Sequence, residues 1–214
     1  MCSRTSQLIE NTRRETSSDL DSEGEFIALN DGGEFSYHAS QQRLLESFEY
    51  PAEAICIIDR NGYSYGLWMD EQRRLRLTAP RGRVEFHNLR QAWLRTQRLR
   101  PQSYPLHRLM PVSSASLINS MFETLQLEQQ PSGIGSEWTL HLAQTTSHPF
   151  SLAMVDHYLA EQDSLDQVIV CDPFGHSYQP VRHQTHRFLA PAAGYICYEE
   201  IAVRKPLVAA NNPA

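Results

Sequence analysis

Asn61-Gly62 stands between two β-rich runs, AEAICIID and YSYGLW, and this pair constrains the fold more than any other feature of the chain. A two-residue type I′ turn needs positive φ at both central residues, which Asn-Gly tolerates. The pair therefore predicts a tight hairpin. A further run, RRLRLT, follows the polar turn DEQ, and Ala79-Pro80-Arg81-Gly82 turns the chain into RVEF. Together these runs predict a β-meander over about 53–86.

Helices flank it. Upstream, EFIALN reads as a strand, DGG as a turn, and YHASQQRLLESF as a helix with Leu44, Leu45 and Phe48 at helical spacing before Pro51. Downstream, Asn88 is the expected cap of a helix over 88–100, with Leu89, Ala92, Trp93 and Leu99 on its apolar side and Pro101 as its stop. A second helix is expected over 113–127, where Leu117, Met121 and Leu125 recur four residues apart. The C-terminal part, 136–203, reads as an antiparallel sheet built from EWTLHLAQ, VIVCD, HSYQPV and GYICYEEIAV. The expected class is α+β, as one domain over 26–208 between a mobile polar tail (1–25) and a frayed end (209–214).

Hydrophobic residues make up 41% of the chain, enough for a real core. No apolar run approaches the roughly 18 residues of a membrane span. The N-terminal residues lack the apolar core of a secretory signal. Cys2, Cys56, Cys171 and Cys197 show no C-x-x-C spacing, so free thiols in a reducing compartment are expected. Lys205 is the one lysine among 19 basic residues. Lysine accepts ubiquitin and arginine does not. Lysine depletion and a Ser/Thr-rich N-terminus fit a bacterial cytoplasmic protein, or one injected into a foreign cytosol, although GC-rich coding has the same effect on lysine.

His148 opens HPFSLAMVDHYLAEQD, and Asp172 follows VIVC and precedes Pro173-Phe174-Gly175. If 148–160 begins as a strand antiparallel to VIVCD, the imidazole and the carboxylate lie at adjacent strand ends and hydrogen-bond. The carboxylate would then fix the ring tautomer and stabilise the imidazolium. The same segment also reads as a helix, with Ser147 or His148 as cap and Pro149 at its first position. That reading separates the two residues and leaves Asp172 a turn aspartate.

His148, Asp172, Pro173, Phe174 and Gly175 resemble the C-terminal half of papain-like cysteine proteases, especially those that bacteria inject into host cells. The likeness spans about 136–200. It implies a papain-like fold that hydrolyses or deamidates a target protein, with His148 as general base and Asp172 as its orienter. The family also places a nucleophilic cysteine at the start of an upstream helix. Here that helix carries Ser113, Ser114 and Ser116 near its start and no cysteine. Cys56 is the remaining thiol at a comparable distance, but it lies among apolar neighbours in AICIID, where burial raises a thiol's pKa.

Ten arginines and one acid, Glu85, lie between Arg73 and Arg108, in a chain of net charge −6. This stretch is a candidate surface for an acidic or phosphorylated partner, or a solvated face offset by the acidic N-terminal residues. Nucleic acid is not expected, since the global charge is acidic. Tyr63, Tyr65 and Trp68 offer an aromatic hairpin, with the two tyrosines on one face. His176, His183 and His186 lie near Cys171 and Asp172, but their spacing matches no common zinc site. No phosphate loop or nucleophile elbow is present, so no cofactor is expected. Two functions stand open: a papain-like hydrolase of the effector type, and a non-catalytic interaction module of the effector, adaptor or immunity type.

Overall fold

Helices and antiparallel strands are both present in the computed structural model, and the protein is α+β. The structure describes residues 24–109, 111–129, 137–142, 145–183 and 194–202. Most of the polar tail and the expected frayed end lie outside these residues. The chain divides into two compact units, one within Met1–Thr96 and Val112–Phe122, the other within Gln97–Pro111 and Glu123–Ala214.

The first unit contains β1 (Phe26–Asn30), β2 (Phe35–His38), α1 (Gln41–Glu46), β3 (Ala54–Asp59), β4 (Tyr63–Tyr65), β5 (Leu67–Met69), β6 (Leu75–Leu77) and β7 (Gly82–Arg83). Five of the strands form an antiparallel sheet in the order β2-β1-β3-β4-β7. The Asn61-Gly62 hairpin joins β3 to β4, but its turn is not type I′. Among its non-strand residues Gly62 alone has positive φ, 80°. The Asp59 carboxylate accepts the Asn61 and Tyr63 N–H groups at 2.9 and 2.8 Å, so a side chain does part of the turning.

The meander expected over 53–86 is interrupted. β5 and β6 pair with each other as a separate two-stranded ribbon, and the chain then returns through β7 to β4. Gly66 and Thr78 close the base of the ribbon with hydrogen bonds in both directions, at 2.9 and 3.0 Å. RVEF contributes only its first residue to a strand, because the Glu85 carboxylate takes the Asn88 N–H and starts α2 (Phe86–Leu99). The helix expected over YHASQQRLLESF is shorter for a similar reason. Tyr37 and His38 pair with β1, and the Ser40 hydroxyl caps α1 through the Arg43 N–H.

Alternation along these strands builds two faces. On one, Phe26, Ala28 and Ile57 pack with Leu44 and Leu67. On the other, Phe35 meets Trp93 edge-on at 5.5 Å, and Tyr37 meets Phe122, on α3 (Ser114–Gln129), at 6.3 Å. Each such side chain, fully buried, contributes about 1.5–3 kcal/mol. Leu89 and Trp93 are buried as α2's apolar stripe requires, whereas Leu99 is 66% exposed.

The second unit holds β8 (Leu106–His107), β9 (Thr139–His141), β10 (Thr146–Ser147), α4 (Leu152–Ala160), β11 (Ile169–Cys171), β12 (Ser177–His183) and β13 (Tyr195–Glu200). Its sheet runs β10-β9-β11-β12-β13-β8, antiparallel except for the β13–β8 pair. Leu152, Val155 and Leu159 of α4 pack on Trp138, Leu140, Val170 and Tyr198. The strand reading of 148–160 is corrected: residues 152–160 are helical, and the Ser151 hydroxyl caps them through the Met154 N–H. The helix reading is corrected at its start, because the cap is Ser151 and Pro149 precedes it. The partner of VIVCD is the TLH strand β9, not the segment after His148.

Candidate functional site

Asp172 closes the hairpin between β11 and β12. Its Oδ1 accepts the Phe174 and His176 N–H groups, both at 2.9 Å, and Gly175 supplies the left-handed residue at φ 90°. Its Oδ2 accepts Arg108 Nη2 and the Tyr178 hydroxyl, both at 2.8 Å. The Arg108 guanidinium also donates to Tyr178 at 3.0 Å and pairs with Glu123. Burial alone would push the Arg108 pKa down, but the Asp172 charge and the hydrogen bonds to Glu123 and Tyr178 raise it, so the guanidinium stays charged. Burial, together with Asp172, raises the Tyr178 pKa and keeps the phenol protonated. His176 sits beside this group, with Nδ1 at 2.7 Å from Glu200 and Nε2 at 3.5 Å from Glu123.

His148 is exposed and directly follows β10. Among the described residues no hydrogen bond or ion pair joins it to Asp172. The topology explains the separation. β9 lies between β10 and β11, with Ser147 opposite Leu140 and Leu140 opposite Val170. Two strand spacings, roughly 9–10 Å, part the ends on which the two residues sit.

Cys56 lies in the first unit, on β3 opposite Leu29. It is half-buried, and burial raises its thiol pKa while the Arg81 charge pulls the other way. Cys171 and Cys197 are also free thiols, and burial with the nearby Glu199 pushes Cys197 to about 11. Ser113 and Ser116 hydrogen-bond each other at the start of α3, as caps do. Among the described residues no group of three or more His, Cys, Asp or Glu side chains could hold a metal. His183 stacks on Tyr195 at 5.2 Å, and His186 lies outside the described residues.

The expected arginine surface divides by partner. In the first unit, Arg60 pairs with Glu25, and Arg74 and Arg76 both pair with Asp70. Arg73, Arg81, Arg83, Arg90 and Arg95 have no carboxylate partner among the described residues. Arg73 is distinctive, because its φ of 58° is the one positive value among the described non-glycine residues. Asp70 enforces this bend by accepting the Gln72 and Arg74 N–H groups at 3.0 and 2.8 Å. The left-handed conformation costs an L-residue about 1–2 kcal/mol. Arg73 and Arg76 form one wall of a cleft of about 620 Å³, with Leu45, Phe48 and Leu75 as its apolar surface and Glu46 and Glu49 on the α1 side. Of the aromatic hairpin, Tyr65 packs on Phe26 and hydrogen-bonds Asp59, while Tyr63 and Trp68 remain 38% and 49% exposed.

Two buried polar atoms, His107 Nε2 and Glu128 Oε2, have no hydrogen-bond partner among the described residues. No helix among those residues is long and apolar enough to cross a membrane. No protein-family model, curated protein or solved structure matches the chain.

Proposed function

We propose that the protein is a non-catalytic interaction module that captures an acidic segment of a partner protein in the cleft between α1 and the β5–β6 ribbon. The observation that carries this reading is Arg73. A non-glycine residue held at φ 58° is backbone strain at a place where glycine would relax it, and strain of this kind concentrates at binding sites. Arg73 lines the cleft and has no carboxylate partner among the described residues. An acidic side chain would gain a charge-assisted contact there, and an adjacent apolar side chain would cover Leu45, Phe48 and Leu75. The translocated-effector, adaptor and immunity settings all accommodate such a module.

The papain-like hydrolase reading, through Cys56, His148 and Asp172, ranks below it. Both oxygens of Asp172 are occupied by Arg108, Tyr178 and the backbone, and the Cys56 thiol is held above its ordinary pKa.

The test is fluorescence anisotropy with a labelled peptide of alternating glutamate and leucine, comparing the full chain with Arg73→Gly. Wild type should bind about tenfold more tightly, the worth of one charge-assisted hydrogen bond. Its affinity should fall with added salt. Equal binding by the two proteins, or none by either, would overturn the proposal.

A further inference from the structure

Just before β1 the chain itself carries the pattern that the Arg73 cleft accepts. Asp19-Leu20-Asp21-Ser22-Glu23 sets three acids and one leucine within five positions, and no basic residue falls between Arg14 and β1. These five lie outside the described residues, but the point at which the chain joins the sheet is fixed. Arg60 and Tyr37 hold the Glu25 carboxylate, and Phe26 stands opposite His38 on β2.

The register sets the direction of approach. β1 and β2 are antiparallel, so the chain enters β1 on the side from which β2 leaves for α1. Ser40 and Gln41, two and three residues past His38, line the cleft. Phe48, another lining residue, lies 6.1 Å from the His38 ring. An extended chain covers about 3.3–3.6 Å per residue, so Asp21 and Asp19 can reach roughly 10 and 17 Å beyond Gly24. The charges of the lining select the contact. Asp70 takes Arg76 at 3.0 Å, and Arg43 faces Glu46 at 4.0 Å. Glu49 repels an acid on the α1 side. Arg73, on the ribbon side, has no carboxylate partner among the described residues, and Leu45, Phe48 and Leu75 supply the apolar surface.

We propose that the chain's own segment 19–23 occupies the cleft, with an acid on Arg73 and Leu20 against Leu45, Phe48 and Leu75. This rests on the reading of the cleft as a site for acidic chain and adds its regulation: a partner's segment binds by displacing the one already tethered there. Tethering makes a weak contact effective, because a short linker holds its ligand at an effective concentration on the order of millimolar. A segment that fills half of the clefts weakens partner binding by about twofold.

Lys205 is the chain's one lysine, so Arg73→Lys sets a new amine at the cleft. A water-soluble carbodiimide joins a carboxylate and an amine as an amide, the reagent taking up the water, and mass spectrometry of the monomer maps the links. The full chain carrying Arg73→Lys should link position 73 to Asp19, Asp21 or Glu23. Arg95→Lys, at an exposed position on α2, should not give these links. Excess unlabelled glutamate–leucine peptide should suppress them. Asp19→Asn combined with Asp21→Asn and Glu23→Gln should bind that peptide about twofold more tightly than wild type. If the peptide binds as the cleft reading requires but position 73 links only to Glu46, Glu49 or Asp70, the cleft reading stands and the tethered segment is overturned. Links to 19–23 that form equally from Arg95→Lys would overturn it too. Links specific to position 73 without any peptide binding would uphold the tethered segment and sink the partner reading.

Discussion

Arg108 and Asp172, 64 residues apart in sequence, form an ion pair at 2.8 Å with side chains only 4% and 0% exposed. Two ions in so little water hold their place only when their remaining hydrogen-bonding capacity is used, and here Tyr178, Glu123 and two backbone N–H groups use it. The pair ties the β11–β12 turn to the segment that follows β8.

Breaking the pair from one side leaves a buried charge. Asp172→Asn should destabilise the protein by about 3–5 kcal/mol in urea denaturation. Arg108→Met combined with Asp172→Leu should recover part of that loss, since it removes both charges but leaves Glu123 without Arg108. Wild-type stability in Asp172→Asn would show that the pair is not what holds the turn.

His148→Ala makes the opposite case. The ring is exposed and makes no hydrogen bond to Asp172, so stability should change by less than about 0.5 kcal/mol. The readout is the thermal midpoint at neutral pH. A loss of several degrees would mean that the imidazole holds something together after all.

Local chemistry was legible in the sequence, and long-range pairing was not. Asn61-Gly62 located a hairpin because turn conformation is set within a few residues. The periodicity of Leu117, Met121 and Leu125 located α3 because one apolar stripe suffices. His148 and Asp172 were a different matter. Their adjacency depended on which strand lies beside β11, and EWTLHLAQ and the segment after His148 were both eligible. Register with β9 decided it. The Arg108 group went unseen because its members, Arg108, Glu123, Asp172 and Tyr178, come from four separate elements or turns. The usable signal was indirect: Asp172-Pro-Phe-Gly is a turn whose second carboxylate oxygen needs a donor. Arg73 was counted in the basic stretch, but its backbone conformation is imposed by Asp70 and the ribbon.

The thiols separate the two functional readings in solution. Burial raises the Cys56 pKa, and burial with Glu199 pushes Cys197 to about 11. Iodoacetamide should therefore alkylate both more slowly at neutral pH than a free thiol, with rates climbing above about pH 9. His148→Ala should leave both rates unchanged. Fast alkylation of Cys56 near pH 6, slowed by His148→Ala, would signal an ion-paired thiolate and restore the hydrolase reading to first place.

Glu128 should give the protein a pH dependence of unusual sign. Burial raises its carboxyl well above the ordinary 4.5, against the opposing pull of the Leu106 N–H and the Arg108 charge. Its Oε2 is buried without a partner among the described residues, while Oε1 accepts the Leu106 N–H at 2.9 Å. A group whose folded pKa lies above its unfolded value binds its proton more tightly when folded. Its stabilising contribution is complete below about pH 4.5 and is lost as pH rises through the folded pKa. Glu128→Gln keeps an acceptor for Leu106 and removes the titration. The variant should match wild type near pH 4 and exceed its stability by roughly 1–3 kcal/mol at pH 8, the cost of leaving a buried polar group unsatisfied. His107, whose pKa burial lowers, is common to both proteins and largely cancels in the difference between their stability curves. A difference that shrinks toward high pH, or that is constant with pH, would mean that Glu128 titrates as a solvated carboxylate does.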